Sequence, residues 1–155
     1  LQSEYSLFSR DIEDGPMQGV QEIGATLVAY SPLGRGFLTG RFTRETKPQN
    51  DYRSGAYQPR YGDDVYESNL ALVEEVKAIA SAMKVTPSQI ALAWVLSRGD
   101  HIITIPGTTK MANLTTNLGA ADVTLDADQN ARLDRLAEQV KGARYPEQGM
   151  RNINV

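Results

Sequence analysis

The sequence TLVAYSPLGRGFLTGR, residues 26–41, joins a short apolar run to a glycine-rich break. The first five residues are β-prone and compact, which is typical of a strand buried in a parallel sheet. The serine, proline and glycines at 31–36 end that strand sharply. A strand that runs into such a loop predicts a βα unit, whose functional groups are expected at the carboxyl end of the strand.

The segments on either side alternate between strand and helix patterns. Further strands are predicted at about residues 1–6 and 102–105, and helices at about 16–23, 63–83, 90–96, 111–118 and 126–141. Residues 40–62 are long and irregular, which is typical of a functional loop or of a tolerated surface insertion. The alternation predicts an α/β fold with three parallel strands and covering helices.

Three of the predicted helices carry local signals of their own. Thr86 and Gln89 form a capping-box pattern, and Asp126 and Gln129 repeat it before the last helix. The helix that contains Trp94 is apolar nearly all round, so Trp94 is predicted to lie in the core. The buried stripe of the helix that begins near residue 63 is predicted from three- and four-residue steps: Val65, Asn69, Leu72, Val76, Ile79 and Met83.

Composition excludes several classes of protein. The net charge of -3 gives no global attraction to nucleic acid or to an acidic membrane surface, and neither is expected as a partner. There is no apolar run long enough for a transmembrane helix and no recognisable signal peptide. The absence of cysteine and the single His101 exclude thiolate catalysis and Cys- or His-rich metal sites, and they fit a cytoplasmic location. The chain opens inside a predicted strand without an initiator Met, so we expect a missing upstream segment.

Two loops in this order are suited to phosphate. The loop after the second strand offers glycine backbone, the Ser31 hydroxyl and the cations Arg35 and Arg41. Residues 106–110, PGTTK, follow the third strand and lead into a helix N-terminus, which favours anions. Residues 35–60 contain six basic and two acidic side chains, which indicates either an anionic ligand or a solvated basic loop.

The motifs that carry these loops resemble one family. SPLGRGFLTG at 31–40 resembles the segment after strand seven of the aldo-keto reductases, and IPGTTK at 105–110 with NLGA at 117–120 resembles the segment after strand eight. LQSEYS at 1–6 is similar to their sixth strand, and TPSQIALAW at 86–94 to the helix before strand eight. The resemblance covers essentially all of residues 1–155. It implies the C-terminal part of a (β/α)8 TIM barrel domain, with strands one to five absent.

The same resemblance implies an NADP site. Gln2 is expected to bind the nicotinamide carboxamide, and Tyr30 to stack on the nicotinamide ring. The pyrophosphate is expected against Ser31, Leu33, Gly36, Leu38, Gly40 and Arg41. The adenosine ribose and its 2′-phosphate are expected against Gly107, Thr108, Lys110 and Asn113, and the adenine against Thr116 and Asn117. Many relatives have Arg or Gln where Asn113 stands and Glu where Thr116 stands, so Lys110, Thr108 and Arg41 are expected to meet the 2′-phosphate.

No catalytic residue is assigned. The family's catalytic Asp, Tyr, Lys and His match no segment of residues 1–155, and His101 is expected to be structural because it precedes the third strand. The implied function is reduction of an aldehyde or ketone by hydride transfer from NADPH, with residues 41–62 folding over the cofactor. Two alternatives stay open: a nucleotide-binding regulatory module without catalysis, and an inactive fragment. The oligomeric state is not indicated.

Overall fold

The computed structural model describes residues 1–49, 51–54, 57–151 and 153. Three parallel strands form its sheet in the order β1-β2-β3: β1 (Gln2–Glu4), β2 (Leu27–Tyr30) and β3 (Ile102–Thr104). Gln2 is paired with Val28, and Leu27 with Ile102. The central strand therefore carries the loop of residues 31–41, and the carboxyl ends of all three strands lie at one edge of the sheet.

Six helices accompany the sheet within the described ranges: α1 (Pro16–Glu22), α2 (Asp63–Met83), α3 (Pro87–Leu96), α4 (Met111–Leu118), α5 (Ala127–Ala137) and α6 (Glu147–Met150). The two capping boxes predicted at the starts of α3 and α5 are both formed. The prediction of an α/β fold with three parallel strands and covering helices is confirmed. The short helix α6 was not predicted.

The core is centred on α3, because this helix packs against β3, α2, α4 and the 3-10 turns that follow β2 and α4. Trp94 is fully buried, as predicted, and its indole Nε1 donates a hydrogen bond to Asp134 at 3.0 Å. The Arg98 guanidinium lies 4.3 Å from the centre of the Trp94 ring. The hydrogen bond to Asp134 gives the indole nitrogen the acceptor that a buried donor requires.

The buried face of α2 differs from its predicted stripe. Asn69, Val76 and Ile79 are buried as predicted, whereas Val65, Leu72 and Met83 are only partly buried. Tyr66 and Val73 take the buried positions instead. Tyr66 turns inward because it joins an aromatic cluster with Phe37 and Tyr61, whose ring centres lie 4.3–6.0 Å apart.

Across the described ranges, no individual helix has both the length and the apolarity needed to cross a membrane. Helices α2 and α3 are long and apolar enough only when counted as one segment, and their axes differ by 94° at the break between them.

Candidate functional site

A cavity of about 500 Å³ lies at the carboxyl ends of β2 and β3. One wall is the post-β2 loop, residues 31–41, and the other is the post-β3 segment, residues 105–117. Its volume is within the range of small-molecule and cofactor sites, roughly 300–1,000 Å³. The topology thus brings together the two loops that the sequence had singled out for phosphate.

The post-β2 loop is held in shape by its own backbone. Gly34 donates to the Ser31 carbonyl at 3.0 Å, and both Gly36 and Leu38 donate to the Leu33 carbonyl, at 3.0 and 3.2 Å. Ser31 and Arg35 have φ angles of 49° and 57°, which non-glycine residues rarely adopt. Since Gly40 also donates within the loop, the amides of Gly36, Leu38 and Gly40 already have acceptors in this conformation.

Gly36 is required for a close approach of the following loop. Its φ is 107°, and a Cβ at this position would lie 2.9 Å from Phe42 Cε2 and 3.1 Å from Arg53 Nη1. Arg53 Nη1 donates to the Arg35 carbonyl at 3.3 Å, and its guanidinium lies 5.1 Å from the centre of the Phe42 ring. Residues 51–54 are therefore docked on the post-β2 loop, and Tyr52 and Arg53 add to the lining of the cavity.

The post-β3 segment is open by comparison. No residue of α4 is buried, and Met111, Leu114 and Leu118 are exposed. Lys110 occupies the N-cap position but provides no side-chain cap, and its backbone amide donates to the Thr108 hydroxyl oxygen at 3.1 Å. The first turn of α4 thus keeps amide donors that an anionic ligand can accept from.

Most of the basic side chains between residues 35 and 60 are internally paired. Arg44 pairs with Glu67, Lys47 with Asp63, and Arg53 with Asp51. Arg35 and Arg60 share the buried carboxylate of Glu4. Among the described residues only Arg41 of this set has no carboxylate partner, so the local positive charge available to a ligand is concentrated there.

The Glu4 cluster lies behind the cavity wall. Arg35 Nη2 donates to Glu4 Oε2 at 2.6 Å, and the Ser9 hydroxyl donates to Glu4 Oε1 at 2.6 Å. Arg60 Nη1 donates to Ser9 Oγ at 2.7 Å. Burial lowers the pKa of Arg60 to about 10, with Glu4 acting against the shift, so the guanidinium stays charged at neutral pH. Arg35 lines the cavity, but its charge is matched by Glu4, so its contact with an anion stays a prediction.

Tyr30 ends β2 and lines the cavity. Burial, and then a hydrogen bond with the Tyr145 hydroxyl at 3.0 Å, raises the pKa of Tyr30 to about 12. The phenol is consequently neutral at physiological pH and presents an uncharged aromatic face to the cavity.

Ten of the fourteen residues predicted to bind the cofactor line this cavity: Tyr30, Ser31, Leu33, Gly36, Arg41, Gly107, Thr108, Asn113, Thr116 and Asn117. Four do not. Gln2 is exposed on the edge strand β1, Leu38 is fully buried, Gly40 follows the 3-10 turn Gly34–Thr39, and Lys110 precedes α4. The individual contacts of all fourteen with a nucleotide stay predictions.

Eight further residues line the cavity and are not among those fourteen: Pro32, Arg35, Thr39, Tyr52, Arg53, Ser88, Ile105 and Pro106. Several are neighbours of motif residues and could have been included on adjacency alone. Tyr52, Arg53 and Ser88 reach the cavity from distant segments, and no local pattern in the sequence marks them.

His101 lies immediately before β3, at the end of the strand opposite the cavity. Its Nε2 is 3.5 Å from Gln21 Nε2, and its carbonyl accepts from the Leu27 amide at 2.8 Å. Within the described part of the chain, no three His, Asp or Glu side chains converge as a metal site would require.

Comparison with known proteins decides the family. Residues 1–138 match the model of the Aldo/keto reductase family. The chain belongs to the aldo-keto reductase family. It is 43% identical over 153 residues to aldo-keto reductase yakc [NADP(+)] of Schizosaccharomyces pombe, covering 94% of this chain and 44% of that protein. The chain thus spans less than half the length of this curated relative.

Solved structures agree on the fold. The glycerol dehydrogenase AKR11B4 from Gluconobacter oxydans superposes with a TM-score of 0.81 at 28% identity, over 90% of this chain and 42% of that one. The thermostable aldo-keto reductase Tm1743, solved with the inhibitor epalrestat, gives a TM-score of 0.61 at 27% identity, over 87% of this chain and 38% of that one. The three parallel strands and their helices therefore correspond to part of the aldo-keto reductase barrel, as predicted.

Proposed function

We propose that the whole protein is an NADP-dependent aldo-keto reductase that reduces small aldehydes or ketones, and that residues 1–155 supply the nucleotide-binding part of one barrel domain. The observation that carries the proposal is the single cavity enclosed by the two post-strand loops, with Arg41 unpaired by any described carboxylate at its rim. The fungal relative, which is named for NADP(+), supports the choice of cofactor.

The residues present fit a dinucleotide. The neutral ring of Tyr30 suits a flat heteroaromatic group, and Arg41 suits a phosphate. The free amides at the start of α4 and the nearby Lys110 suit a second phosphate. The amides of Gly36, Leu38 and Gly40 already donate hydrogen bonds within the loop. We therefore propose that the post-β2 wall binds the nucleotide through its shape and through hydroxyl and guanidinium groups.

NADPH, when bound, supplies the hydride that reduces the carbonyl carbon. The side chains of this chain bind and orient it: the ring of Tyr30 sets the plane in which the nicotinamide can lie, and the two loops hold the two ends of the cofactor. We assign the proton transfer to the carbonyl oxygen to none of the described residues. We propose that side chains of the whole protein outside residues 1–155 carry it out.

The test is binding and turnover by the whole protein. We expect it to bind NADPH and to oxidise it in the presence of a panel of aromatic aldehydes. Arg41→Ala is expected to weaken NADPH binding about tenfold, the size of one charge-assisted contact. Arg44→Ala is the matched control, because Arg44 lies in the same loop but is paired with Glu67.

The outcomes separate the rival functions. Binding without oxidation of NADPH by any aldehyde or ketone would favour the regulatory module. Absence of nucleotide binding by the whole protein would overturn both.

A further inference from the structure

The tail segment, residues 141–145, runs from α5 back to the carboxyl edge of the sheet. Its first residue is fixed through both backbone groups: Lys141 donates to Asn69 Oδ1 at 2.9 Å, and Asn69 Nδ2 donates to the Lys141 carbonyl at 2.8 Å. Asn69 is fully buried on α2. Because the buried Asn69 side chain bonds both the backbone N–H and the carbonyl of Lys141, it fixes the path of the segment at this point.

The next residues are fixed against the Glu4 cluster. Arg60 Nε donates to the Gly142 carbonyl at 3.2 Å, and Gly142 has a φ of 85°. A Cβ on Gly142 would lie 3.1 Å from the backbone of Pro59 and Arg60, so the contact is tight. Arg144 is 5% exposed and lies 3.5 Å from the carboxylate of Asp11.

These contacts place Tyr145 behind the cavity wall. Its hydroxyl is 3.0 Å from the hydroxyl of Tyr30, and its ring lies 4.5 Å from the guanidinium of Arg35. Tyr30 and Arg35 both line the cavity, whereas Tyr145 does not. One side chain therefore joins two wall residues from outside the space that a ligand would occupy.

The match to the family model ends at residue 138, so the tail segment lies beyond it. We propose that Tyr145 is a positioning residue: by holding the hydroxyl of Tyr30 it fixes the aromatic ring that receives the nicotinamide, and so sets affinity at the nicotinamide end of the cofactor. This inference rests on the proposed function, since it assigns the Tyr30 end of the cavity to the nicotinamide.

The physical reason is the freedom of an aromatic side chain. Tyr30 is only partly buried, so its ring is not confined by packing alone. Its anchored hydroxyl fixes the far end of the side chain, and the wall is then formed before the ligand arrives. Preorganisation of this kind raises affinity because less freedom is lost on binding.

The experiment compares two ligands on the whole protein. NADPH reaches both ends of the site, whereas adenosine 2′,5′-bisphosphate lacks the nicotinamide. Tyr145→Phe, which keeps the ring on Arg35, is expected to weaken NADPH about threefold to tenfold, the size of one hydrogen bond, and to leave the bisphosphate unchanged. Tyr57→Phe is the control, because Tyr57 is 76% exposed and does not line the cavity.

A reciprocal variant guards against a folding defect. Tyr30→Phe removes the same hydrogen bond from the other side, so it should also weaken NADPH binding selectively. Since the Tyr145 hydroxyl also bonds Arg35, the double variant should lose no more than Tyr145→Phe alone. Equal weakening of both ligands, additive losses or unchanged NADPH binding would each overturn the proposal. If the unaltered protein binds the bisphosphate but not NADPH, the nicotinamide assignment fails as well. If it binds neither, the proposed function itself fails.

Discussion

The two walls of the cavity are built in opposite ways. The post-β2 loop buries Phe37 and Leu38, bonds its own amides and holds residues in the left-handed region. The post-β3 segment leads into α4, which has no buried residue and no side-chain cap. A preformed wall thus faces an open one. The first contributes shape that exists before binding, and the second contributes donors that a ligand can still engage.

The largest expected effect comes from substituting the two glycines that line the cavity, Gly36 and Gly107. Gly36→Ala should destabilise the protein by about 2 kcal/mol, because alanine is strained at a φ of 107° and its Cβ would meet Phe42 at 2.9 Å. Gly107→Ala should be nearly neutral, since nothing lies within 4 Å of the added Cβ. The measurement is the free energy of unfolding of both variants in denaturant. Equal costs would show that the walls do not differ as described.

A smaller effect is expected from the open wall. Lys110→Ala should weaken NADPH binding about fivefold and leave NADH binding nearly unchanged, because only NADPH carries the 2′-phosphate. The effect is modest because salt screens an exposed charge. Arg135→Ala is the control: this exposed cation on α5 lies outside the cavity and has no ion pair among the residues described. Binding titrations of both nucleotides measure the effect. A parallel loss of NADH affinity would contradict the assignment of Lys110.

The local features of the fold could be predicted from sequence. The capping residues Thr86 and Asp126 act within four residues of themselves, so their patterns identify the starts of α3 and α5. The glycine and proline breaks likewise located the ends of β2 and β3. Predicted strands at 1–6, 26–30 and 102–105 are each shorter in the structure, because pairing rather than propensity sets their ends.

The distant contacts could not be predicted. Tyr66 replaces Val65 on the buried face of α2 because Phe37 and Tyr61 lie there, and helical spacing carries no information about them. Arg35 pairs with Glu4, 31 residues away, and Tyr145 meets Tyr30, 115 residues away. Motif likeness placed ten of the fourteen predicted residues around one cavity, but it did not find Tyr52 and Arg53.

Some predictions stay open. The ordering of residues 41–62 on cofactor binding falls partly on residues 50, 55 and 56, which lie outside the described residues. The cytoplasmic location also stays a prediction.

The central claim is that the loops after β2 and β3 form one nucleotide site. Hydrogen exchange of the whole protein, with and without adenosine 2′,5′-bisphosphate, tests it most directly. We expect added protection at residues 31–41 and 105–117, with the larger gain in the post-β3 segment because its amides are the ones left free. Absence of binding, or protection confined to the separate cavity lined by Lys47, Tyr61 and Asp63, would contradict the claim.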